Sequence, residues 1–461
     1  VLSGRGVSAG RVAAQAVLCV TSPHSCGVGG DVLALVHEPG GRVTAVNGTG
    51  RSAAAHDGRP HGDAGMSVTV PGIVDGWARL HERWGRLPWP RVLAPALRAA
   101  AAGVPVDDGL AAAAAAQRSR LERGGAGGWS LLDRPDPWRQ PELAGLLERV
   151  SGRGPAAFYT GEVADAVAAA VRADGGGVDA GDLARHRTVV AEPVAVPWDG
   201  GTVHVQPPSS QGVLLALALD VVERRLPPAV AALLGGPHRE HLLVEVTQGA
   251  FGAREDCADP RVVLATDVAV DPDRASLRGG PRAYLHTAGV ATADPDGLVV
   301  SSLVSVFDDF GAGTFVPRFG FALNNRAGGF TTGANRPRPE AFPVHTLAPA
   351  LHVGPEEALA LATPGADGQV QTLLQVLARR RLDAAPTADA VAAPRWRSED
   401  GDLLVEDGHP AAEDLRGRGH VVRPLPAGDD RFGAVVSAAA HTGGGTSAVA
   451  DWRRLTSAGA L

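Results

Sequence analysis

Threonine is a weak nucleophile unless a base sits beside its hydroxyl. A chain cut immediately before a threonine supplies that base itself, because the new α-amine stands next to the side chain. The segment Tyr284-Leu-His-Thr-Ala-Gly-Val-Ala-Thr-Ala-Asp-Pro-Asp-Gly297 offers such a candidate in Thr287, just ahead of a strand-like run that ends in a turn signal. On these residues alone, an ordinary threonine at a strand entry is the commoner explanation.

Other chemistries have weaker support. His238-Arg-Glu-His241 with Glu245 sets three potential metal ligands on one helix face, but the pattern is not HExxH and no fourth ligand follows it. No metal is therefore assigned. The glycines at 27–30 and 443–445 lack the lysine and hydroxyl of a phosphate loop and the spacing of a dinucleotide fingerprint, so no cofactor is expected. Ser209-Ser210 reads as a turn packed near a site.

The elements that must position these groups alternate. Apolar residues return every three or four positions over 74–84, 92–102, 162–172 and 240–250, which predicts helices. Short β-branched runs at 32–36, 43–46, 194–196, 203–205, 289–293 and 298–306, bounded by Gly, Pro, Asn or Asp, predict strands. Residues 11–20 could pass for the apolar core of a signal peptide. They run into Ser22-Pro-His without a small-x-small cleavage site, so a buried first helix is expected, and a cytoplasmic location is favoured over a secreted one. No stretch reaches the roughly 18 apolar residues of a membrane helix. With 43 Lys+Arg against 50 Asp+Glu and no long run of one sign, the footprint of a nucleic-acid binder is missing and a small, neutral or weakly acidic partner is expected. Cys19, Cys26 and Cys257 are an odd number with no CxxC pair, which is compatible with a reducing compartment.

An ordered series of motifs changes the standing of Thr287. Ser22-Pro-His-Ser-Cys-Gly-Val-Gly-Gly30, Val70-Pro-Gly-Ile-Val-Asp-Gly-Trp77, Gly85-Arg-Leu-Pro-Trp89, Phe158-Tyr-Thr-Gly161, Pro207-Pro-Ser-Ser-Gln-Gly212, Phe310-Gly-Ala-Gly313, Leu323-Asn-Asn325 and Thr363-Pro-Gly-Ala366 follow one another along nearly the whole chain. In that order they resemble the γ-glutamyltranspeptidase family. The resemblance implies an α+β fold, the four-layer αββα sandwich of the N-terminal-nucleophile hydrolases, over 1–461 as a single domain. It also implies self-cleavage between His286 and Thr287, giving a large subunit 1–286 and a small subunit 287–461 that stay together, with two such heterodimers as a conceivable dimer.

On that resemblance Thr287 is the nucleophile and Ser305 the hydroxyl residue supporting it. Gly365 and Ala366 fall where backbone N–H groups form an oxyanion hole. The departures concern the substrate. Thr49 stands where transpeptidases keep the arginine for the glutamate carboxylate, with Arg51 two positions on, Gly329 replaces the acid that holds the α-amino group, and Phe307 replaces a polar contact. Phe342-Pro-Val-His-Thr-Leu-Ala-Pro349 and Gly365-Ala-Asp-Gly-Gln369 look more like the branch containing oxamate amidohydrolase, which puts His345, Thr346 and Arg326 at the wall facing the acyl group. The implied activity is hydrolysis of a small non-glutamyl amide. Acyl transfer to an amine and a non-cleaving, non-catalytic binding protein are the alternatives.

Overall fold

Residues 32–36, Val-Leu-Ala-Leu-Val, are apolar at every position, a pattern that suits a strand covered on both faces. The computed structural model, which describes residues 7–60, 63–278, 287–454 and 456–459, shows what covers them. The strands are β1 (Asp31–His37), β2 (Val43–Gly48), β3 (Val189–Ala191), β4 (Val194–Trp198), β5 (Gly201–Val205), β6 (Ala288–Ala293), β7 (Val299–Ser305), β8 (Phe315–Val316), β9 (Phe321–Ala322), β10 (Ala350–Val353), β11 (Glu357–Ala362), β12 (Trp396–Glu399), β13 (Asp402–Glu406), β14 (Val422–Leu425), β15 (Val436–His441) and β16 (Thr446–Ala450). One antiparallel sheet has the order β3-β2-β1-β7-β6 and a second the order β16-β15-β11-β10-β5-β4.

Alternation along each strand sorts the residues into layers. Val32, Ala34 and Val36 of β1 pack into a core shared with the helices Val7–Thr21, Ile73–Trp84, Trp89–Ala102, Pro141–Arg153 and Glu162–Ala173. Leu33 and Leu35 point the other way, onto Leu347, Ala362, Leu351 and Ala360. The far face of the second sheet meets the helices Gly212–Asp220, Arg239–Phe251 and Gly368–Leu382. The stack is helix, sheet, sheet, helix: the αββα sandwich expected from the motifs.

The predicted helices and strands all appear, with ends shifted by a few residues. Residues 11–20 lie in the helix Val7–Thr21, and Val12, Ala16 and Val20 on it are buried. Cys19, Cys26 and Cys257 are buried and free. Among the described residues no helix is long and apolar enough to cross a membrane.

Candidate active site

Strand register assembles the site. Asp31 of β1 pairs with Ser305 of β7, Val32 pairs with Gly48 of β2, and Val304 pairs with Ala288 of β6. Carried one residue further, these ladders set Thr287 opposite Ser305 and Thr49 opposite Asp31. Thr49, Asp31, Ser305 and Thr287 thus form a row across one end of the first sheet, and all four are buried. The alternation that turns Leu33 and Leu303 toward the second sheet turns Asp31 and Ser305 the same way.

The residues facing that row form a buried ionic group. Arg326 Nε donates to Asp31 Oδ2 at 3.0 Å, and His345 Nε2 lies 3.4 Å from the same oxygen, with all three side chains fully buried. Leu347 N–H donates to His345 Nδ1, so the ring proton is on Nε2, facing Asp31. Burial, with the Arg326 charge adding to it, brings the His345 imidazole down to about 4, so it is neutral near pH 7. Burial opposes ionisation of Asp31, but the contact with His345 and the charge of Arg326 outweigh it and hold the carboxyl below its usual value. The group is one ion pair plus a neutral imidazole, and the His345 contact is electrostatic at that length rather than a short hydrogen bond.

Several of its polar atoms are unpaired. Arg326 Nη1 makes a long contact with Thr346 Oγ1 at 3.4 Å, while Arg326 Nη2, Asp31 Oδ1 and Thr49 Oγ1 are buried with no hydrogen-bond partner among the described residues. Gathered on one buried wall beside Thr287, these open donors and acceptors are groups that a polar ligand would pair with. The Phe307 ring covers the guanidinium, its centroid 4.5 Å from Arg326 Cζ. Phe307 N–H donates to Ser305 Oγ at 2.9 Å, and its φ of 85° is a left-handed conformation that strains a bulky residue, as is common beside active sites.

Gly365 and Ala366 lie between β11 and the helix Gly368–Leu382, with φ of 118° and 46°. Their carbonyls are held, Gly365 O by Gly368 N–H and Arg397 Nη2, Ala366 O by Gln369 N–H and Gln211 Nε2. No described residue accepts from either of their own N–H groups. These two donors stand at the positive end of a helix, where an oxyanion is favoured.

The structure thus brings together Thr287, Ser305, Thr49, Arg326, Phe307, His345 and Thr346, and ties Ala366 to the Thr346 carbonyl through the Gln211 amide. Arg51 does not join them. It is exposed, donates Nη1 to Glu340 O at 2.8 Å, and stacks 4.0 Å over Phe342. Its cavity of about 280 Å³ is lined instead by Ser52, Asp182, Arg185, His186 and Arg187 among others. His286 lies outside the described residues. Gly329 has no room for a side chain, since a Cβ there would meet Val344 O at 2.3 Å.

Two residues escaped the sequence reading. Asp31, which holds both Arg326 and His345, has one signal in the sequence: a lone acid opening an otherwise apolar strand. Gln211 lies inside the quoted Pro207–Gly212 motif, but its two bonds to residues far along the chain have no local signature.

A family model described as Gamma-glutamyltranspeptidase matches residues 4–461. The chain belongs to the gamma-glutamyltranspeptidase family. It is similar to the oxamate amidohydrolase proenzyme of Klebsiella pneumoniae, 31% identical over 84% of this chain and 79% of the relative. It is also similar to an acylase ACY 1 proenzyme of Pseudomonas sp. strain V22, 30% identical over 84% of this chain and 74% of that one. Among solved structures, cephalosporin acylase from Bacillus halodurans matches with a TM-score of 0.83 at 25% identity, covering 97% of this chain and 90% of the other. This member of the gamma-glutamyltranspeptidase family is a hydrolase acting on C–N amide bonds, with the N-terminal-nucleophile fold, and the relatives named here are proenzymes.

Proposed function

We propose that the precursor cuts itself between His286 and Thr287, and that Thr287 then hydrolyses a small amide acid lacking an α-amino group. Its hydroxyl attacks the amide carbonyl, and the α-amine takes the proton and passes it to the leaving amine. The N–H groups of Gly365 and Ala366 hold the oxyanion, Ser305 supports the nucleophile from the neighbouring strand, and water releases the acyl group from Thr287. The single domain 1–461 with subunits 1–286 and 287–461 belongs to this reading.

The observation that carries the substrate assignment is the charge state of the pocket wall. Arg326 is the one cation in the buried group; its Nε is taken by Asp31, and its Nη2 is left open for one anionic group of a substrate. A glutamyl donor would bring a carboxylate and an ammonium. Gly329 leaves no side chain for the ammonium, and burying an unpaired charge costs several kcal/mol. The open donor at Arg326 Nη2, the open acceptor at Asp31 Oδ1 and the Thr49 hydroxyl suit a compact acyl group bearing both a carbonyl or carboxylate oxygen and an amide N–H, as oxamate does. His345, Thr346 and Phe307 close the wall around it, and Arg51 has no part in it. The names of the oxamate amidohydrolase and acylase relatives support non-glutamyl amides as the class.

Comparing kcat/KM for a γ-glutamyl anilide with that for oxamate and related short amide acids tests the reading. The small amides should be favoured by at least about 100-fold, the weight of one unpaired buried charge. A glutamyl substrate turned over as well as the best small amide would contradict it.

A further inference from the structure

A second constellation is built from elements that supply no residue to the row at Thr287. His241 and Glu245 stand one turn apart on the helix Arg239–Phe251, and His420 arrives just ahead of β14. The three side chains are buried, and one ligand atom from each lies within 4.8 Å of the others. His241 Nδ1 and His420 Nε2 are 2.8 Å apart.

A carbonyl sets the protonation pattern. His241 Nε2 lies 2.8 Å from the Asp271 carbonyl oxygen, which can only accept, so Nε2 carries the proton and Nδ1 turns its lone pair toward His420. A ligating histidine is held in the same way, its second nitrogen donating to a backbone carbonyl. Glu245 Oε1 accepts from Ser276 N–H at 3.0 Å. Its Oε2 is buried with no hydrogen bond among the described residues, and Arg278 Nη2 is 3.9 Å away. A buried carboxylate oxygen without a donor is unfavourable, and a cation among these three residues would satisfy it.

We propose that His241 Nδ1, Glu245 Oε2 and His420 Nε2 bind a divalent transition-metal ion of the zinc type, with water as the fourth ligand. Two imidazoles and a carboxylate suit zinc, whereas calcium and magnesium favour all-oxygen sets. Zinc bonds of about 2.0–2.2 Å place tetrahedral ligands roughly 3.3 Å apart, so the two rings part by about 0.5 Å and the carboxylate closes in. His420 exchanges its Nε2–H tautomer for Nδ1–H, and no proton is lost overall.

The ion would anchor the segment 271–278, which already leans on these groups. Asp271 O accepts from His241, Ser276 N–H donates to Glu245, Arg418 Nη1 donates to Pro272 O at 2.8 Å, and Ala275 N–H donates to Arg418 O at 2.9 Å. That segment leads toward Thr287. On the proposed cut it forms the last described stretch of the large subunit, although metal binding itself does not depend on that cut.

Purified full-length protein, stripped with a chelator and dialysed, is titrated with Zn²⁺ by calorimetry and with Co²⁺ by visible absorption. The proposal expects one saturable zinc ion per chain, cobalt bands of tetrahedral intensity, and a thermal midpoint that rises with Zn²⁺. Glu245→Gln, which keeps the shape of the side chain, and His420→Gln should each weaken zinc binding by at least about 100-fold and abolish the thermal shift. Should His420→Gln fail to fold, the wild-type titrations and Glu245→Gln decide. Absence of saturable binding, an octahedral cobalt spectrum, or variants that bind as the wild type does would overturn the site.

Discussion

Asp31 illustrates how a buried charge earns its place. Desolvating a carboxylate and a guanidinium together is expensive, and their attraction repays it only when the geometry is good and nearby hydrogen bonds complete the set. Here Arg326 Nε meets Oδ2 at 3.0 Å. Asp31→Asn would leave the Arg326 charge buried beside a neutral amide, so we expect a loss of about 3–5 kcal/mol in stability, read from chemical denaturation, together with reduced turnover. An unchanged denaturation midpoint would show that Arg326 finds another partner. At this scale the sequence placed residues at the site where the resemblance names them, as for Thr287, Ser305, His345 and Thr346. It was silent where a role depends on register, since nothing near Asp31 says that residues 305, 326 and 345 converge on it. Arg51 shows the converse: it is two positions past Thr49, but the chain turns away after β2 and leaves it on the surface.

Elements were legible when their periodicity was exposed. The helices Ile73–Trp84 and Glu162–Ala173 have one apolar face each, and β1 and β7 are rich in branched residues, so patterning finds them. The helices Gly212–Asp220 and Gly368–Leu382 are buried over nearly their whole length, and burial on every side erases the amphipathic signal. β11 and β15 read Glu-Ala-Leu-Ala-Leu-Ala and Val-Ser-Ala-Ala-Ala-His, and alanine is a poor strand marker, yet small side chains let the two sheets approach. Close approach also governs the turn at Gly329, whose carbonyl accepts from Val344 N–H and where a Cβ would meet the Val344 carbonyl oxygen. Gly329→Ala should therefore destabilise by roughly 1–3 kcal/mol through overpacking, and Gly329→Glu should not create glutamyl activity. A thermal melt and a glutamyl anilide assay check both, and an unperturbed Glu variant that gained glutamyl turnover would contradict the account.

The whole molecule should be acid-sensitive. Burial lowers His24, His186 and His345 to about 4 each. Between that value and the ordinary 6.5 the unfolded chain binds protons that the folded chain refuses, so stability is complete above pH 6.5 and is lost as pH falls toward 4. For a fully buried imidazole such as His345 the loss approaches about 1.4 kcal/mol per pH unit within that window. Asp309, raised by burial to about 6, works in the opposite sense together with Asp308 and Asp367, but these three carboxyls stand against nine histidines lowered by burial. Denaturant midpoints measured from pH 4 to 8 should fall below pH 6.5 and stay level above it, and a midpoint that held or rose toward pH 4 would contradict this.

The two sheets bring Thr287 from one half of the sandwich and the Gly365–Ala366 turn from the other, an arrangement that serves catalysis only if Thr287 becomes an N-terminus. The most direct test is the intact mass of purified wild-type and Thr287→Ala protein, with N-terminal sequencing of the smaller species. Two wild-type fragments are expected, the smaller beginning Thr287-Ala288-Gly289, and a single uncut, inactive Thr287→Ala chain. A wild-type chain that is intact and active, or a Thr287→Ala chain cut at the same bond, would contradict it.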